Sequence, residues 1–500
     1  MEISGYWLTR WLFQRSLALV YLTAFLAVLY QFTPLLGERG LLPVPQFVAQ
    51  GSFWEAPSLF YWLPQDPAFT ACGWLGLVLA LVALSGFSER YGTGVSMGVW
   101  AALWGLYLSF VNVGQVFYAF GWESLLLEAG FFAIFLGSTT TPPSFLTFLL
   151  LRWVLFRVMF GAGLIKLRGD PCWRDYTCLF YHYETQPLPN PLSWCFHWLP
   201  KGVLSFGVLV NHGVELLVPF AYFAPQPLCA LAGILTLIFQ GLLSVSGNFA
   251  WLGFLTMVLA FSTLSDTQLA FFLPLTAPPL RPPAPVHRYA ILAVTALVVL
   301  LSYYPVHNML SRRQVMNTSY NPFHLVSTYG AFGSISRRRY EVIIEGTAET
   351  HLTPATPWRE YEFMGKPGDV QRRPPQFAPY HLRLDWLLWF LPFHLEETPR
   401  GIILPYGYEP WFVHFLAKLL QGDRAVLQLL EHNPFPDHPP SYVRALLYTY
   451  RFTTPQEKRE TGAWWHRELV GTYFAPVSLQ DPTLRAALSR RGWLEEPSQQ

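Results

Sequence analysis

The sequence predicts a mainly α-helical membrane protein. A polytopic transmembrane bundle of about nine spans occupies residues 1–310, and a soluble α+β extracytoplasmic domain follows over 311–500. Three observations carry this. The chain is 52% hydrophobic, 17% aromatic and only 13% charged, where a soluble domain carries about 25% charged residues. Between Trp11 and Pro305 the apolar runs are long and charges are sparse. After about Ser311, Arg, Glu and Asp return to ordinary density, which marks the domain boundary.

A span needs roughly 20 mostly apolar residues. Such runs begin near Leu12, Thr70, Val95, Gly121, Phe145, Val203, Leu228, Phe249 and Tyr289, and the last ends near Val306. The run from Gly121 is the weakest, because it holds Glu123 and Glu128. The first run lacks the small-residue cleavage site of a signal peptide and reads as a retained helix. Arg10 and Arg15 flank it, whereas the following loop has only Arg39 against Glu38, Glu55 and Asp66. Lys and Arg favour the cytosolic side. This places the N-terminus in the cytosol, and nine spans place both the 167–202 loop and the C-terminal domain outside. The Arg281–Arg288 cluster then falls inside, as the rule prefers; Lys166 and Arg168 fall outside, against it. An even number of spans would reverse the C-terminal side.

The soluble part divides into a β-rich stretch, 320–400, and a helical stretch, 405–500. Phe323–Tyr329 and Arg339–Glu345 read as strands by their alternation. Trp411, Phe415, Leu416, Leu419 and Leu420 recur at helical spacing, and Tyr442–Arg451 fits either a strand or a short helix.

Charged groups at bilayer depth are costly unless paired or hydrated. Glu123 and Glu128 lie on the fourth predicted helix, Arg152, Arg157 and Lys166 on the fifth, and Asn211, His212 and Glu215 on the sixth. A short connection makes the fourth and fifth helices antiparallel neighbours. Glu128 then comes level with Arg157 near the midplane, and Glu123 comes nearer Lys166. Two readings stay open: structural ion pairs that hold the bundle together, or a polar cavity.

The loop after the fifth helix is dense in ionisable and aromatic side chains: Lys166, Arg168, Asp170, Trp173, Arg174, Asp175, His182, Tyr183, Glu184, Gln186 and Asn190. Long structured loops of this kind tend to carry function. Cys172 and Cys178 can close a small disulfide, or either can pair with Cys195. Cys72 and Cys229 sit in apolar runs as small buried residues. The spacings CxxC and HExxH are absent, so no metal is expected. There is no G-x-S-x-G elbow, no cofactor is called for, and no basic patch with interleaved aromatics points to nucleic acid.

The blocks Gly161-Ala-Gly-Leu-Ile-Lys-Leu-Arg-Gly-Asp, Cys172-Trp-Arg-Asp and His182-Tyr-Glu-Thr-Gln-Pro-Leu-Pro-Asn-Pro resemble the hallmark of lipase maturation factors. Asn211-His-Gly-Val-Glu, Ser246-Gly-Asn-Phe, Tyr329-Gly-Ala-Phe-Gly, Glu341-Val-Ile-Ile-Glu-Gly-Thr, Lys366-Pro-Gly-Asp, Pro379-Tyr-His-Leu-Arg-Leu-Asp-Trp and Asn433-Pro-Phe-Pro follow in the family's order. The resemblance implies a membrane chaperone whose animal members reside in the endoplasmic reticulum. These help dimeric secreted lipases, such as lipoprotein lipase, reach their active form, and the lumenal C-terminal domain is implicated in client contact. The Arg-over-Lys, Pro- and Trp-rich composition suits a bacterial member in a cell membrane, with another exported protein as client. Membrane lipids are the other implied partner.

Two further functions compete. The helical part is weakly similar to the vitamin K-dependent carboxylase type of membrane domain. That likeness implies an enzyme with Lys166, His182, Glu184 and His212 around a lipid-soluble substrate, and it requires an enclosed polar pocket at the outer end of the fifth helix. The third possibility is a structural or lipid-binding protein without a client. A chaperone instead expects exposed aromatic patches, for which Trp386, Trp389, Trp464 and Trp465 are candidates; their bland role is as core or membrane-interface anchors.

Overall fold

The computed structural model describes residues 5–398, 401–403 and 407–494. All nine apolar runs fold as helices: α1 (Trp7–Leu36), α2 (Asp66–Ser85), α3 (Thr93–Val113), α4 (Gly121–Ala133), α5 (Phe145–Arg168), α6 (Lys201–Phe223), α7 (Leu228–Ser246), α8 (Leu252–Thr263) and α9 (Pro285–Leu310). Seven of them are long and apolar enough to cross a membrane; α4 and α8 are shorter. Helix α4, with 13 residues, rises only about 20 Å. It needs no lipid contact, because all but one of its residues are buried against neighbouring helices. A π turn over Gly213–Leu217 interrupts α6 just before Pro219, whose ring a regular helix would not accommodate.

The start of α1 meets the turns at one end of the bundle. Trp7 N donates to Asp266 (2.9 Å), Trp7 Nε1 to Thr139 O (2.8 Å) and Arg10 Nη1 to Thr141 O (2.7 Å). The other end of α1 meets the C-terminal region, where Gln31 Nε2 donates to His381 O (2.6 Å) and Gln31 Oε1 accepts from Arg383 N (2.9 Å). The start of α1 and the C-terminal region therefore sit at opposite ends of the bundle.

The C-terminal region is built on an antiparallel sheet of four strands, β1 (Arg339–Thr347), β2 (Arg359–Glu360), β3 (Tyr442–Phe452) and β4 (Trp465–Val477), in the order β2-β1-β3-β4. Register runs from Arg339 opposite Tyr450 to Thr347 opposite Tyr442. Helix α10 (Arg383–Phe390) leads toward the bundle, and α11 (Pro410–Gln421) buries Trp411, Phe412, Phe415, Leu416 and Leu419. The helical reading of 405–500 is thus corrected: its longest elements include β4 and β3 as well as α11. Of the two readings of Tyr442–Arg451 the strand is the one realised, and register shifts along the β3–β4 ladder leave Trp465–Val477 without the clean alternation that announces a strand.

The strand expected at Phe323–Tyr329 is absent. This stretch is irregular, with positive φ at His324 and Val326, and residues 325–330 are buried between the helices. It lies level with the middle of α5, where Arg157 Nη1 donates to Ser327 O (2.7 Å). Non-helical backbone at bilayer depth survives only where protein groups satisfy it. Here Thr328 N donates to Thr318 O (3.0 Å), and the His324 ring bridges Ser124 (2.9 Å) and Asn112 (3.0 Å).

Candidate functional site

The three carboxylates Glu123, Glu128 and Glu215 are each paired with a cation. Arg157 grips Glu128 through both terminal nitrogens, Nη1 and Nη2, and Tyr329 Oη donates to the same carboxylate at 2.6 Å. All three side chains are buried. Lys166 does not meet Glu123, as its position along α5 suggested. Its Nζ reaches Glu215 Oε1 at 2.6 Å and Asn211 Oδ1 at 3.3 Å, because the middle of α6, around its π turn, packs there. Glu123 instead pairs with Arg383 (2.7 Å) and accepts from Tyr107 Oη. Arg152 has no carboxylate partner among the described residues; it donates to Ser262 O (2.9 Å), Tyr222 O (3.3 Å) and Tyr6 Oη (3.0 Å). The cations and carboxylates point at one another, which is the arrangement of structural ion pairs rather than of an open polar cavity.

The loop residues turn inward in the same way. Arg168 holds the end of α9 and the turn beyond it, donating to Met309 O (2.8 Å) and Gln314 Oε1 (2.7 Å). Asp170 caps Cys172 N (3.0 Å) and pairs with Arg337 (2.7 Å). Trp173 Nε1 donates to Phe332 O (2.9 Å), and His212 Nε2 lies 2.9 Å from Trp173 O. Glu184 accepts from Phe452 N on β3 (2.7 Å). Gln186 donates to Ser193 Oγ (2.8 Å) and Ser246 O (3.0 Å), and Asn190 donates to Val245 O and Gln376 Oε1 (3.0 Å each). Tyr183 stacks on Phe196. His182 lies edge-on to Phe332, where burial and the nearby Lys166 cation lower its pKa to about 3. It is a neutral ring in a dry setting.

The loop is therefore a clamp between the bundle and the C-terminal sheet. Sequence reasoning missed the residues that clamp it from the other side. Arg339 on β1 donates to Glu184 O (3.1 Å), Pro187 O (2.8 Å) and Gln186 O while paired with Glu341. Asn248 Oδ1 accepts from Phe377 N and Ala378 N (3.0 Å each). Arg383 and Tyr329 complete the buried pairs above. Asn248 and Tyr329 lie within the sequence blocks that carry the family resemblance, but nothing local showed what they touch. Of the four tryptophans offered as client contacts, Trp386 (4% exposed) and Trp465 (2%) are core, and Trp389 donates to Thr185 O (3.1 Å). Trp464 stacks over the Lys458 amine.

The outward part of the loop is small. Cys172 and Cys178 form a disulfide (Cα–Cα 4.8 Å), leaving Cys195 free and exposed. The turn between them presents Arg174, Asp175 and Tyr176, the last at φ +56°. Breaking so small a ring costs about 2 kcal/mol by the chain-entropy relation. Cys172→Ser is therefore expected to lower the unfolding midpoint, and reductant is expected to bring the wild type down to the same value and leave the variant unmoved. Equal midpoints for both proteins without reductant would show that the bond does not tie the turn.

Comparison with known proteins agrees with this two-part construction. Residues 8–271 match the model of the lipase maturation factor transmembrane domain, and residues 325–475 match that of the lipase maturation factor C-terminal domain. Lipase maturation factor 1 of Homo sapiens is 41% identical over 537 aligned residues, covering 99% of this chain and 91% of the relative. The Bos taurus protein of the same name is also 41% identical (99% and 92%). Lipase maturation factor 2 of Rattus norvegicus is 30% identical (96% and 84%). No solved structure matches. The chain is an integral membrane protein and belongs to the lipase maturation factor family.

Proposed function

We propose that this protein is a membrane-embedded maturation factor for secreted or exported lipases. The observation that carries this is similarity to proteins named lipase maturation factors across bundle, loop and C-terminal sheet alike. The bundle, 1–310, anchors the factor, and the region 311–500 lies on the extracytoplasmic side, which in a eukaryotic cell is the endoplasmic reticulum lumen. Arg10, Arg15, Arg90, Arg281 and Arg288 belong to the opposite end, which the positive-inside rule assigns to the cytosol. Client contact falls to groups that the clamp leaves exposed, foremost the disulfide-closed turn with Arg174, Asp175 and Tyr176. The enzyme reading loses its ground, because Lys166 is committed to Glu215 and His182 is enclosed by aromatic rings.

The test is rescue. The protein is expressed in cells lacking their own lipase maturation factor, and secreted lipoprotein lipase activity is measured per unit of lipase antigen. Wild type is expected to rescue. Combined alanine replacement of Arg174, Asp175 and Tyr176 is expected to lose about 1–2 kcal/mol of client contact, roughly a fivefold to thirtyfold weakening, with the factor's abundance unchanged. Full rescue by that variant would move the client surface off the turn. Failure of the wild type at normal abundance would remove this lipase as a client.

A further inference from the structure

We propose that the groove between α7 and α8 seats one acyl chain of a phospholipid from the extracytoplasmic leaflet. An apolar cavity of about 510 Å³ lies there, lined by Gly241, Val245, Phe254 and Met257 and roofed by Asn190 and Gln376. It owes its existence to a change in residue size along α7. At Ser244 the helices nearly touch, since a Cβ on Gly253 would stand 2.6 Å from Ser244 Oγ. One turn deeper, a Cβ on Gly241 would meet no atom within 4 Å. The helices part there, and no side chain of the described residues fills the gap.

Position decides the occupant. Ile238, Leu242 and Val245, the neighbours of Gly241 on α7, are 58%, 54% and 44% exposed. On a spanning helix such exposure faces hydrocarbon, so the groove opens sideways into the bilayer. Its depth matches the last turn and a half of α7, directly beneath the interface. The roof polar groups already serve each other: Asn190 Nδ2 donates to Val245 O and Gln376 Oε1, and Asn248 holds Pro375 beside them. Water would find few partners in this space and does not order in apolar cavities. Hydrocarbon fills it by van der Waals contact, the force that governs packing within lipid. The hydrocarbon present at highest concentration on that side is a phospholipid chain. This inference does not depend on the identity of the client.

The full-length protein is placed in phosphatidylcholine nanodiscs containing a phospholipid with a diazirine on its upper acyl methylenes. Cross-linked residues are mapped by mass spectrometry. Adducts are expected on Phe254 and Met257, and also on lipid-facing Leu292 and Val299 of α9, which serve as the reference. Gly241→Leu fills the groove without a backbone clash and is expected to abolish the first pair while leaving the second. Should that variant misfold, Met257→Trp fills the groove from the other wall, and the loss of labelling, or the persistence that overturns the proposal, is then read at Phe254. Adducts at Met257 that persist in the filled variant overturn the proposal, as does labelling confined to α9. Groove labelling by a diazirine fatty acid that phospholipid cannot displace overturns the choice of phospholipid.

Discussion

An Arg157→Ala variant is expected to lose about 3–5 kcal/mol of stability, the penalty for stranding one member of a buried ion pair, and to accumulate as unfolded or aggregated protein. Glu128 is fully buried, and its carboxylate is held by Arg157, by Tyr329 Oη and, at 3.4 Å, by Ser327 N. Removing the guanidinium leaves a charge in the dry middle of the bundle and leaves Ser327 O without its donor. The irregular 323–329 stretch then loses its tie to α5 and keeps its bonds through His324 and Thr328. A loss of this size is a large share of the roughly 5–15 kcal/mol that holds a domain together. The measurement is the thermal unfolding midpoint in detergent, together with the monodisperse fraction on size exclusion. The double variant Glu128→Gln, Arg157→Met carries no charge and is expected to recover most of the loss. Tyr329→Phe is expected to cost only about 1–2 kcal/mol. A normal midpoint for Arg157→Ala alone would mean that Glu128 does not depend on the pair.

The same pair shows what was legible in the sequence. Apolar runs locate helices because composition is local, and all nine runs became helices. The depth match of Glu128 and Arg157 followed from one short connection, so it too was within reach. Glu123 was misassigned because its partner, Arg383, lies 260 positions away and enters from the C-terminal region. No periodicity reports such a contact. Phe323–Tyr329 carries strand-like alternation and β-favouring residues, yet Asn321, Thr318 and the helix side chains Arg157 and Glu128, not a neighbouring strand, serve its backbone. The loop was recognisable as special by its density of ionisable groups. Its role was not, because most of its groups find partners far along the chain, such as Asp170 with Arg337, Trp173 with Phe332 and Glu184 with Phe452. A dense polar loop between two structured parts can be the joint as readily as the working surface, and here Arg174, Asp175 and Tyr176 are among the residues it leaves exposed.

Acid is expected to unfold this protein well above the range where carboxylates titrate. Burial holds His182 at about 3 and His197, His381 and His414 at about 4, below the ordinary value of 6.5. Lys166 lowers His182 further; beside His381, the Glu123 carboxylate at 3.8 Å does not offset burial. The sign follows from which state binds protons. In the unfolded chain these rings protonate near 6.5, while in the fold they stay neutral. Their contribution is complete above 6.5 and is lost as the pH falls from 6.5 toward 4. Each group contributes about 1.4 kcal/mol per pH unit within that window. Asp385 opposes them: burial raises it to about 6, so the fold gains from it below that pH. The net loss between pH 7 and 5.5 is about 4 kcal/mol. His381→Phe isolates one ring, whose two nitrogens have no hydrogen-bond partner among the described residues within its aromatic box of Phe120, Trp122, Trp251 and Trp386. It is expected to leave the midpoint at pH 7.5 nearly unchanged and to flatten the slope below pH 6.5 by about a quarter of the histidine contribution. An unaltered slope would mean that His381 is already protonated in the fold, and that its charge, rather than its neutrality, is what Glu123 and the four rings accommodate.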